Sequence, residues 1–384
     1  MKTIRFFTNI APHYRKPLWM RLLKSNEIDI NFYFGDPGKT GIKEIDFDSL
    51  DILEFNNRLI RIKNFWILNK IVFWQSGVIK NCLLKKMDVS IFTAEMNCIS
   101  TWIAAIICRM RNIEVVFWGH GIYGNESKVK LFFRKLFYRL ADKHLLYERR
   151  GKSLMLQNGF NPDKLYVIFN SLDYDLHLKL REKFELLNKA DVFPFFGNPE
   201  LPVLIFIGRL TPQKRVELVI EAVKLINADQ VLFNLLIIGD GSERENLTER
   251  SKKGINNNWI HFTGGLYDEN LICKYLYCSD LCVSPGNVGL TAIHSLSMGT
   301  PVATHNNFFN QMPEVESIIE GFNGFLFPEN SIAIMRNKIL DWVRMVKQRE
   351  LIRLNCYKVV DEKYNPKNQL IIIQRILNSE KPTL

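Results

Sequence analysis

Residues 201–214 read LPVLIFIGRLTPQK, and residues 281–302 read LCVSPGNVGLTAIHSLSMGTPV. Each stretch begins with a short run of apolar residues that is typical of a buried parallel strand. The first run ends at Gly208 and the second at Pro285 and Gly286, and a helical pattern follows each turn. A strand that leads through a tight turn into a helix predicts a doubly wound, parallel α/β sheet.

The same alternation extends in both directions along the chain. Apolar runs predict strands at 201–208, 232–239, 259–263, 281–284, 301–304 and 324–327 in the second half, and at 3–9, 29–34, 89–93, 114–118, 144–147 and 165–169 in the first. Residues 188–202 carry three prolines and no periodicity, which is typical of a linker. We therefore predict two Rossmann-like domains facing each other across a cleft: residues 1–187, a linker at 188–202, residues 203–365, and a helix within 366–384 that packs back on the first domain.

The positive charge is concentrated in the first half. Lys and Arg number 51 against 40 Asp and Glu. Residues 1–185 hold 30 basic and 19 acidic side chains, whereas residues 186–384 hold 21 of each. Such an excess favours an anionic membrane surface or a phosphate-bearing substrate, and it also serves solubility. No nucleic-acid-binding motif accompanies the charge, so we expect no nucleic-acid partner.

Residues 127–142, SKVKLFFRKLFYRLAD, combine apolar residues at helical spacing with five basic side chains. Two interpretations remain open for this segment. A basic amphipathic helix can lie in a membrane interface, and it can equally be a core helix with a solvated face.

The sequence also bears on localisation and on metals. The first residues lack a signal peptide's apolar core, and no apolar run approaches the roughly 18–20 residues that span a bilayer. Seven scattered cysteines favour a reducing compartment. We expect a cytoplasmic protein, free or peripheral on the inner face of the cell membrane. Cys273, Cys278 and Cys282 lack a paired zinc signature and are predicted to be packed thiols.

The loops after the two quoted strands carry the clearest chemistry. Arg209 and Lys214 lie just past a strand, where Arg can bind a diphosphate bidentately and Lys as a point charge. The alternative is two solvated charges. The second loop enters a helix whose first N–H groups can bind an anion, and these groups belong to Val288, Gly289, Leu290 and Thr291.

Several motifs in this order resemble the donor domain of glycosyltransferase family 4, the retaining enzymes of the GT-B fold. The resemblance rests on GRLTPQKRVELVIEAV, IIGDGSERENL, IHFTGGL and YLYCSDLCVSPGNVGLTAIHSLSMGTPV, between residues 208 and 302. It implies that Gly208, Arg209 and Lys214 hold a donor diphosphate and that the backbone of Val288–Thr291 meets the phosphates and the sugar. It also implies that a loop flanks the nucleobase and that His120, in WGHG, lies near the transferred sugar; the loop comprises Gly264, Gly265 and Leu266. A lone His is otherwise more often structural.

The sequence departs from the family pattern at the two motif glutamates. Gly286 and His294 stand in their places. An imidazole can make part of the hydrogen bonding by which a carboxylate grips the donor ribose, whereas Gly286 cannot replace a Glu. Glu314 is a further candidate donor contact. IAPHYRKP replaces the family's N-terminal Gly-Gly loop, so we expect acceptor-side roles for His13, Tyr14 and Arg15.

These expectations combine into one function. The resemblance implies a retaining hexosyltransferase that uses a UDP- or GDP-sugar, requires no metal cofactor, and builds a capsule, O-antigen or exopolysaccharide. Arg209, Lys214 and His120 are the candidate catalytic residues. The basic first domain favours a saccharide acceptor linked to a lipid diphosphate. The same fold acting on a soluble acceptor is one alternative, and a catalytically silent nucleotide-sugar-binding or scaffold subunit is another.

Overall fold

The computed structural model describes residues 1–36, 42–67, 71–345 and 348–382. The chain divides into two compact units, one formed by Met1–Asp173 with Pro366–Leu384 and the other by Tyr174–Asn365. Each unit is built around its own parallel sheet.

The first unit contains a seven-stranded sheet in the order β3-β2-β1-β6-β7-β8-β9, in which the paired strands are parallel. Its strands are β1 (Lys2–Thr8), β2 (Ile28–Phe34), β3 (Leu59–Arg61), β6 (Val89–Thr93), β7 (Glu114–Gly119), β8 (Lys143–Leu146) and β9 (Leu165–Val167), and β4 (Asn64–Ile67) pairs antiparallel with β5 (Val72–Gln75). Its helices are α1 (Lys16–Leu23), α2 (Leu50–Leu53), α3 (Val78–Leu84), α4 (Ile99–Met110), α5 (Lys128–Tyr138), α6 (Arg149–Gln157) and α16 (Pro366–Leu377).

Both faces of this sheet are buried, as the continuous apolar strands predict. Along β1, Ile4 and Phe6 face one apolar cluster, whereas Phe7 faces the other. The first cluster also contains apolar residues of α1 and α16, so the last helix completes the core around the first strand.

The second unit contains a six-stranded parallel sheet in the order β12-β11-β10-β13-β14-β15. Its strands are β10 (Val203–Ile207), β11 (Asn234–Ile238), β12 (Ile260–Gly264), β13 (Leu281–Ser284), β14 (Val302–His305) and β15 (Gly324–Phe327). Its helices are α7 (Tyr174–Phe184), α8 (Lys189–Val192), α9 (Val216–Ile226), α10 (Arg244–Arg250), α11 (Lys252–Asn256), α12 (Glu269–Cys278), α13 (Thr291–Ser297), α14 (Ile332–Met345) and α15 (Arg349–Glu362).

The division between the units lies at Asp173, not near residue 187 as the sequence suggested. The reason is that α7 packs within the second unit, where the rings of Phe184 and Tyr277 are 5.8 Å apart. The expected linker at 188–202 is also packed. Phe193 is buried and stacks on Tyr275 at 5.8 Å, because the apolar side chains between the prolines fill space beside α12.

Three short strands were not predicted. Strand β3 extends the edge of the first sheet, and β4 and β5 form a separate antiparallel pair. The side chains of Phe65, Trp66 and Ile67 on β4 are about half exposed, at 52%, 46% and 51%. An apolar strand with so much exposed surface lacks the alternation that identifies a half-buried strand in a sequence.

Candidate functional site

Two loops of the second unit meet because their strands are neighbours. Strands β10 and β13 pair in the sheet, and the chain order reverses between them. The carboxyl ends of parallel strands at such a switch point form the usual ligand-binding crevice of an α/β sheet. The loop after β10 carries Arg209 and Lys214, and the loop after β13 carries Gly286–Leu290.

Direct hydrogen bonds join the two loops. The N–H of Gly286 donates to the carbonyl of Lys214 at 3.1 Å, and Lys214 Nζ donates to the carbonyl of Asn287 at 2.7 Å. The Lys214 ammonium is therefore fixed against the second loop, and the two loops form one continuous edge of the site.

This edge is positively charged. Arg209 is exposed, and within the described part of the chain its guanidinium has no hydrogen-bond partner. Burial and the neighbouring Arg209 charge lower the pKa of Lys214 to about 8, and the charge of Glu314 acts in the opposite direction. Glu314 itself is buried, in a short 3-10 helix at Pro313–Ser317. The sequence-predicted cations and Glu314 thus lie within electrostatic reach of one another.

One of the predicted anion-binding N–H groups is engaged by a side chain, because the N–H of Val288 donates to Gln311 Oε1 at 2.9 Å. Thr291 is fixed through its hydroxyl, since its Oγ1 donates to the carbonyl of Ile207 at 3.2 Å. These two residues hold the loop in place. Among the residues that the structure describes, the N–H groups of Gly289 and Leu290 have no acceptor. Gly289 has a φ of 56°, a conformation that favours glycine.

Gly286 has a packing reason to be glycine. A Cβ atom at this position would lie 2.1 Å from the carbonyl oxygen of Gln213 and 2.7 Å from Lys214 Cα. Both distances are far below van der Waals contact, and both involve backbone atoms. A side chain at position 286, including a glutamate, is therefore incompatible with the present contact between the loops.

His294 is engaged by other side chains. Its Nε2 lies 3.0 Å from Glu269 Oε1 and 3.3 Å from Cys273 Sγ. Burial alone would lower the pKa of His294, but the Glu269 charge and the Cys273 thiol raise it to about 10. Cys273, Cys278 and Cys282 are all buried. Cys273 differs from the other two because its thiol contacts His294 and Glu269. It is not simply a packed thiol.

The third predicted donor loop lies at the same edge of the sheet. Gly264 ends β12 with a φ of 77° and accepts a hydrogen bond from the N–H of Gly239 at 2.8 Å. Gly265 is exposed and Leu266 is half-buried. Strand β11 lies between β12 and β10, so this loop is two strands away from the Arg209 loop along the same edge of the sheet.

In the first unit, His120 follows the carboxyl end of β7. Its ring lies 4.9 Å from that of Tyr147 and 5.4 Å from that of Tyr123. Burial, with the charges of Arg134 and Arg15, lowers the pKa of His120 to about 4. The imidazole is therefore neutral at physiological pH and can offer one hydrogen-bond donor and one acceptor.

The predicted acceptor-side residues separate by burial. The guanidinium of Arg15 is buried, donates to the Tyr147 hydroxyl and lies 5.0 Å from the centre of the Trp118 ring. His13 is exposed, and its Nδ1 lies 3.1 Å from the carbonyl oxygen of Lys43. Tyr14 is half-buried and meets His13 edge to face at 5.9 Å. Arg15 thus supports the His120 environment, whereas His13 is open to solvent.

The sequence analysis did not identify two polar residues at the carboxyl ends of the strands in the first sheet. Asn9 follows β1, and Glu95 lies two residues beyond β6. Asn9 Nδ2 donates to Glu95 Oε1 at 2.5 Å. Burial raises the pKa of Glu95, against the effect of the Arg15 charge. Their positions in the sequence could have identified them, because each residue closely follows a predicted parallel strand and the carboxyl ends of such strands lie at one edge of the sheet.

Most of the second unit matches a known protein family. Residues 188–359 match the family Glycosyl transferases group 1. An uncharacterized glycosyltransferase of Methanocaldococcus jannaschii is similar to this chain, with 24% identity over 272 residues, 66% of this chain and 64% of that protein. An uncharacterized 41.2 kDa protein in the cps region of Klebsiella pneumoniae is 24% identical over 204 residues, or 52% of each chain. The match to the first of these relatives therefore spans less than two thirds of that protein's length.

The fold extends the likeness over both units. The chain is similar to Anabaena HepE in complex with UDP, with a TM-score of 0.71, 16% identity, and coverage of 99% of this chain and 100% of that one. It is also similar to the lipopolysaccharide outer core galactosyltransferase WaaB, with a TM-score of 0.68, 16% identity, and coverage of 98% and 99%. The fold is that of the GT-B glycosyltransferases. Together with the group 1 match, it supports a glycosyltransferase.

Proposed function

We propose that this protein is a retaining glycosyltransferase that moves a sugar from a nucleoside diphosphate sugar to a hydroxyl of a saccharide acceptor. The observation that carries the proposal is the positive edge at the β10–β13 switch point. There Arg209 and Lys214 stand beside the Gly289 and Leu290 N–H groups. The named complexes of Anabaena HepE with UDP and with UDP-glucose support a nucleotide sugar as donor.

Breaking a glycosidic bond to a diphosphate leaves negative charge on the departing phosphate. Preorganised cations and N–H donors stabilise that charge as it develops. Arg209 and Lys214 supply the cations, and the loop after β13 supplies the N–H groups. Lys214 requires no reorganisation, because its hydrogen bond to Asn287 already holds the ammonium in place.

The missing motif glutamates are compatible with this chemistry. In a retaining transfer the departing phosphate can itself help to deprotonate the acceptor on the same face of the sugar, so a carboxylate at position 286 is not required. We propose His120 as a neutral hydrogen-bonding catalytic group, as the resemblance to glycosyltransferase family 4 implies; its pKa of about 4 keeps the imidazole uncharged. No metal cofactor is invoked for the transfer.

We propose an acceptor linked to a lipid diphosphate in the assembly of a capsule, O-antigen or exopolysaccharide, at the inner face of the cell membrane. Helix α5 supports this, because four of its apolar side chains remain exposed: Val129 at 68%, Phe132 at 64%, Phe133 at 49% and Leu136 at 46%. Lys128, Lys130, Lys135 and Arg139 lie in or beside the same helix. Apolar and basic side chains together suit an anionic lipid surface. No helix in the described ranges is long and apolar enough to cross a membrane.

A thermal-shift and turnover experiment tests the donor site. UDP, GDP and their sugars are added to the wild-type protein and to Arg209→Ala, with Arg250→Ala as a control at an exposed cation at the end of α10, whose Nε donates to Asn246 Oδ1 at 3.2 Å. A ligand that binds the folded state raises the melting temperature. We expect one nucleotide to raise the melting temperature in the wild type and in Arg250→Ala, and to lose most of its effect in Arg209→Ala. No shift with any nucleotide would contradict the donor site.

Turnover separates the enzyme from a catalytically silent subunit. Replacement of both motif glutamates favours the silent alternative enough to require a test. Nucleotide release from the bound donor, with lipid-linked and soluble saccharides as acceptors, is the readout, and the anomeric configuration of the product is read by NMR. Nucleotide binding without release under any acceptor would establish the silent subunit. Product of inverted configuration would refute the retaining mechanism.

Vesicle flotation tests the membrane surface. We expect binding to vesicles rich in phosphatidylglycerol, weakened by salt and strongly reduced in the double variant Phe132→Ser, Phe133→Ser. Leu186→Ser is the matched control, since Leu186 is an apolar residue that is 98% exposed elsewhere in the chain. Equal flotation of both variants would contradict a role for α5.

A further inference from the structure

Four potential metal ligands converge in the second unit, on three helices. His177 lies on α7, Glu269 and Cys273 lie on α12, and His294 lies on α13. The ligand atoms of these residues all lie within 4.8 Å of one another. Glu269 and Cys273 are four residues apart on one helix, a spacing that places both side chains on the same face.

The cluster is compact. Glu269 Oε1 lies 2.9 Å from His177 Nε2 and 3.0 Å from His294 Nε2. Cys273 Sγ lies 3.3 Å from His294 Nε2 and 3.7 Å from Glu269 Oε1. The two imidazole rings are nearly parallel, with centroids 5.2 Å apart. A single carboxylate oxygen therefore contacts both imidazoles, with a thiol beside them.

The cluster is also enclosed. The exposed fractions are 1% for His177 and 0% for Cys273, and the His294 side chain is 13% exposed. Glu269 is the exception, with a side chain 40% exposed. A cation could therefore reach the cluster from solvent past this carboxylate.

Each ring nitrogen of His177 has a polar neighbour. Nδ1 lies 3.0 Å from Ser297 Oγ, and Nε2 lies 2.9 Å from Glu269 Oε1. Ser297 Oγ also lies 2.8 Å from the carbonyl oxygen of His294. A hydroxyl oxygen can accept the proton of Nδ1, and this tautomer leaves the lone pair of Nε2 free to bind a metal ion.

The donor set distinguishes among metals. Imidazole nitrogen and thiolate sulfur, with one carboxylate oxygen, suit Zn²⁺, whereas Mg²⁺ and Ca²⁺ prefer oxygen ligands. Bond lengths of about 2.0–2.3 Å place the ligand atoms of a tetrahedral Zn²⁺ roughly 3.3–3.8 Å apart. The distances between the ligand atoms here run from 2.9 Å to an upper bound of 4.8 Å, which brackets that spacing, so shifts of about 1 Å or less by rotamer adjustment would give a tetrahedral shell. Metal-bound histidines commonly donate their second N–H to a neighbouring group, and Ser297 occupies that place.

We propose that His177, Glu269, Cys273 and His294 bind one Zn²⁺ ion. The ion is structural, because the four residues occupy all four positions of a tetrahedral site. It ties α7 and α12 to α13, the helix that follows the Gly286–Leu290 loop. The site is independent of the proposed sugar transfer, and it gives His294 a role other than gripping a donor ribose.

Metal binding by the full-length protein tests this site. The purified protein is stripped with a chelator and titrated with Zn²⁺ in competition with a chromophoric chelator. It is then titrated with Co²⁺, which gives an absorption band when a thiolate binds it. We expect one Zn²⁺ per chain, a thiolate–Co²⁺ band, and a melting temperature that rises with Zn²⁺.

Two variants make the test specific. Cys273→Ser should lose the Co²⁺ band and stoichiometric Zn²⁺ binding, whereas Cys278→Ser, the same change on the same helix outside the cluster, should retain both. If Cys273→Ser does not fold, Glu269→Gln replaces it, since that side chain is partly exposed, and its Zn²⁺ affinity should fall at least about tenfold. Absence of stoichiometric Zn²⁺ binding in the wild type, or equal binding in the cluster and control variants, would overturn the proposal in favour of a protonated imidazole–carboxylate network.

Discussion

The pKa of Lys214 gives the proposed donor site a measurable alkaline limit. Burial and the Arg209 charge hold the pKa of Lys214 at about 8. If only the ammonium form binds the diphosphate, affinity follows the charged fraction, which falls from about nine tenths at pH 7 to about one tenth at pH 9. Binding of UDP or GDP should therefore be about tenfold weaker at pH 9 than at pH 7, a loss of about 1.4 kcal/mol.

The assay is the Kd of the nucleotide between pH 7 and pH 9.5. The phosphates are ionised throughout this range, because their second pKa is about 6. In Lys214→Arg the side chain stays charged up to about pH 12, so the nucleotide Kd should not change with pH across this range. The Kd of Lys214→Met should also not change with pH, with binding at pH 7 weakened about 10–100-fold, since a hydrogen bond to a charged group contributes about 1.5–3 kcal/mol. An alkaline fall that persists in Lys214→Arg would refute the assignment to Lys214.

Three further measurements probe the same framework. Gly286→Ala should lower the free energy of unfolding by about 1–3 kcal/mol in urea denaturation, because its Cβ would lie 2.1 Å from a backbone oxygen, whereas Gly197→Ala, with neighbours at 3.6 Å or more, should change it little. The His120 ring should show no titration by NMR between pH 5 and pH 8, because its pKa of about 4 keeps it neutral above pH 5; a midpoint near 6.5 would contradict its desolvation by burial. Glu126→Ala should lower the free energy of unfolding by about 3–5 kcal/mol in the same denaturation assay, because it removes the carboxylate partner of the buried Arg134. In the wild type, Arg134 Nε lies 2.9 Å from Glu126 Oε1. Glu249→Ala, at an exposed ion pair, should leave the free energy of unfolding nearly unchanged.

The sequence predicted those features that local pattern controls. Strands 89–93, 281–284 and 324–327 have the predicted bounds, because each is a short apolar run between turn residues. The Arg209 loop could be found because it lies between a strand and a helix that are both well marked. The two Rossmann-like domains follow from the same alternation, whereas the GT-B fold was implied by the resemblance of the ordered motifs to glycosyltransferase family 4.

Features that depend on distant residues could not be predicted. His177 lies 92 positions from Glu269 and 120 from Ser297, and only the packing of α7 against α12 and α13 brings them together. The engagement of His294 by Glu269 and Cys273 is invisible for the same reason. The steric need for glycine at position 286 arises from the backbone at Gln213, 73 positions earlier, so the sequence showed only the substitution and not its cause.

The return of α16 to the first unit has a consequence for synthesis on the ribosome. The core around β1 is incomplete until residues 366–377 emerge, yet the 192 residues of Tyr174–Asn365 are translated before them. At about 5–20 residues per second, the wait lasts roughly 10–40 s. During that interval the apolar face of α1, including Leu18 and Leu22, lacks its permanent cover. We therefore expect chaperones to bind the N-terminal part of the nascent chain, and slower translation of the second unit should increase aggregation through the first unit.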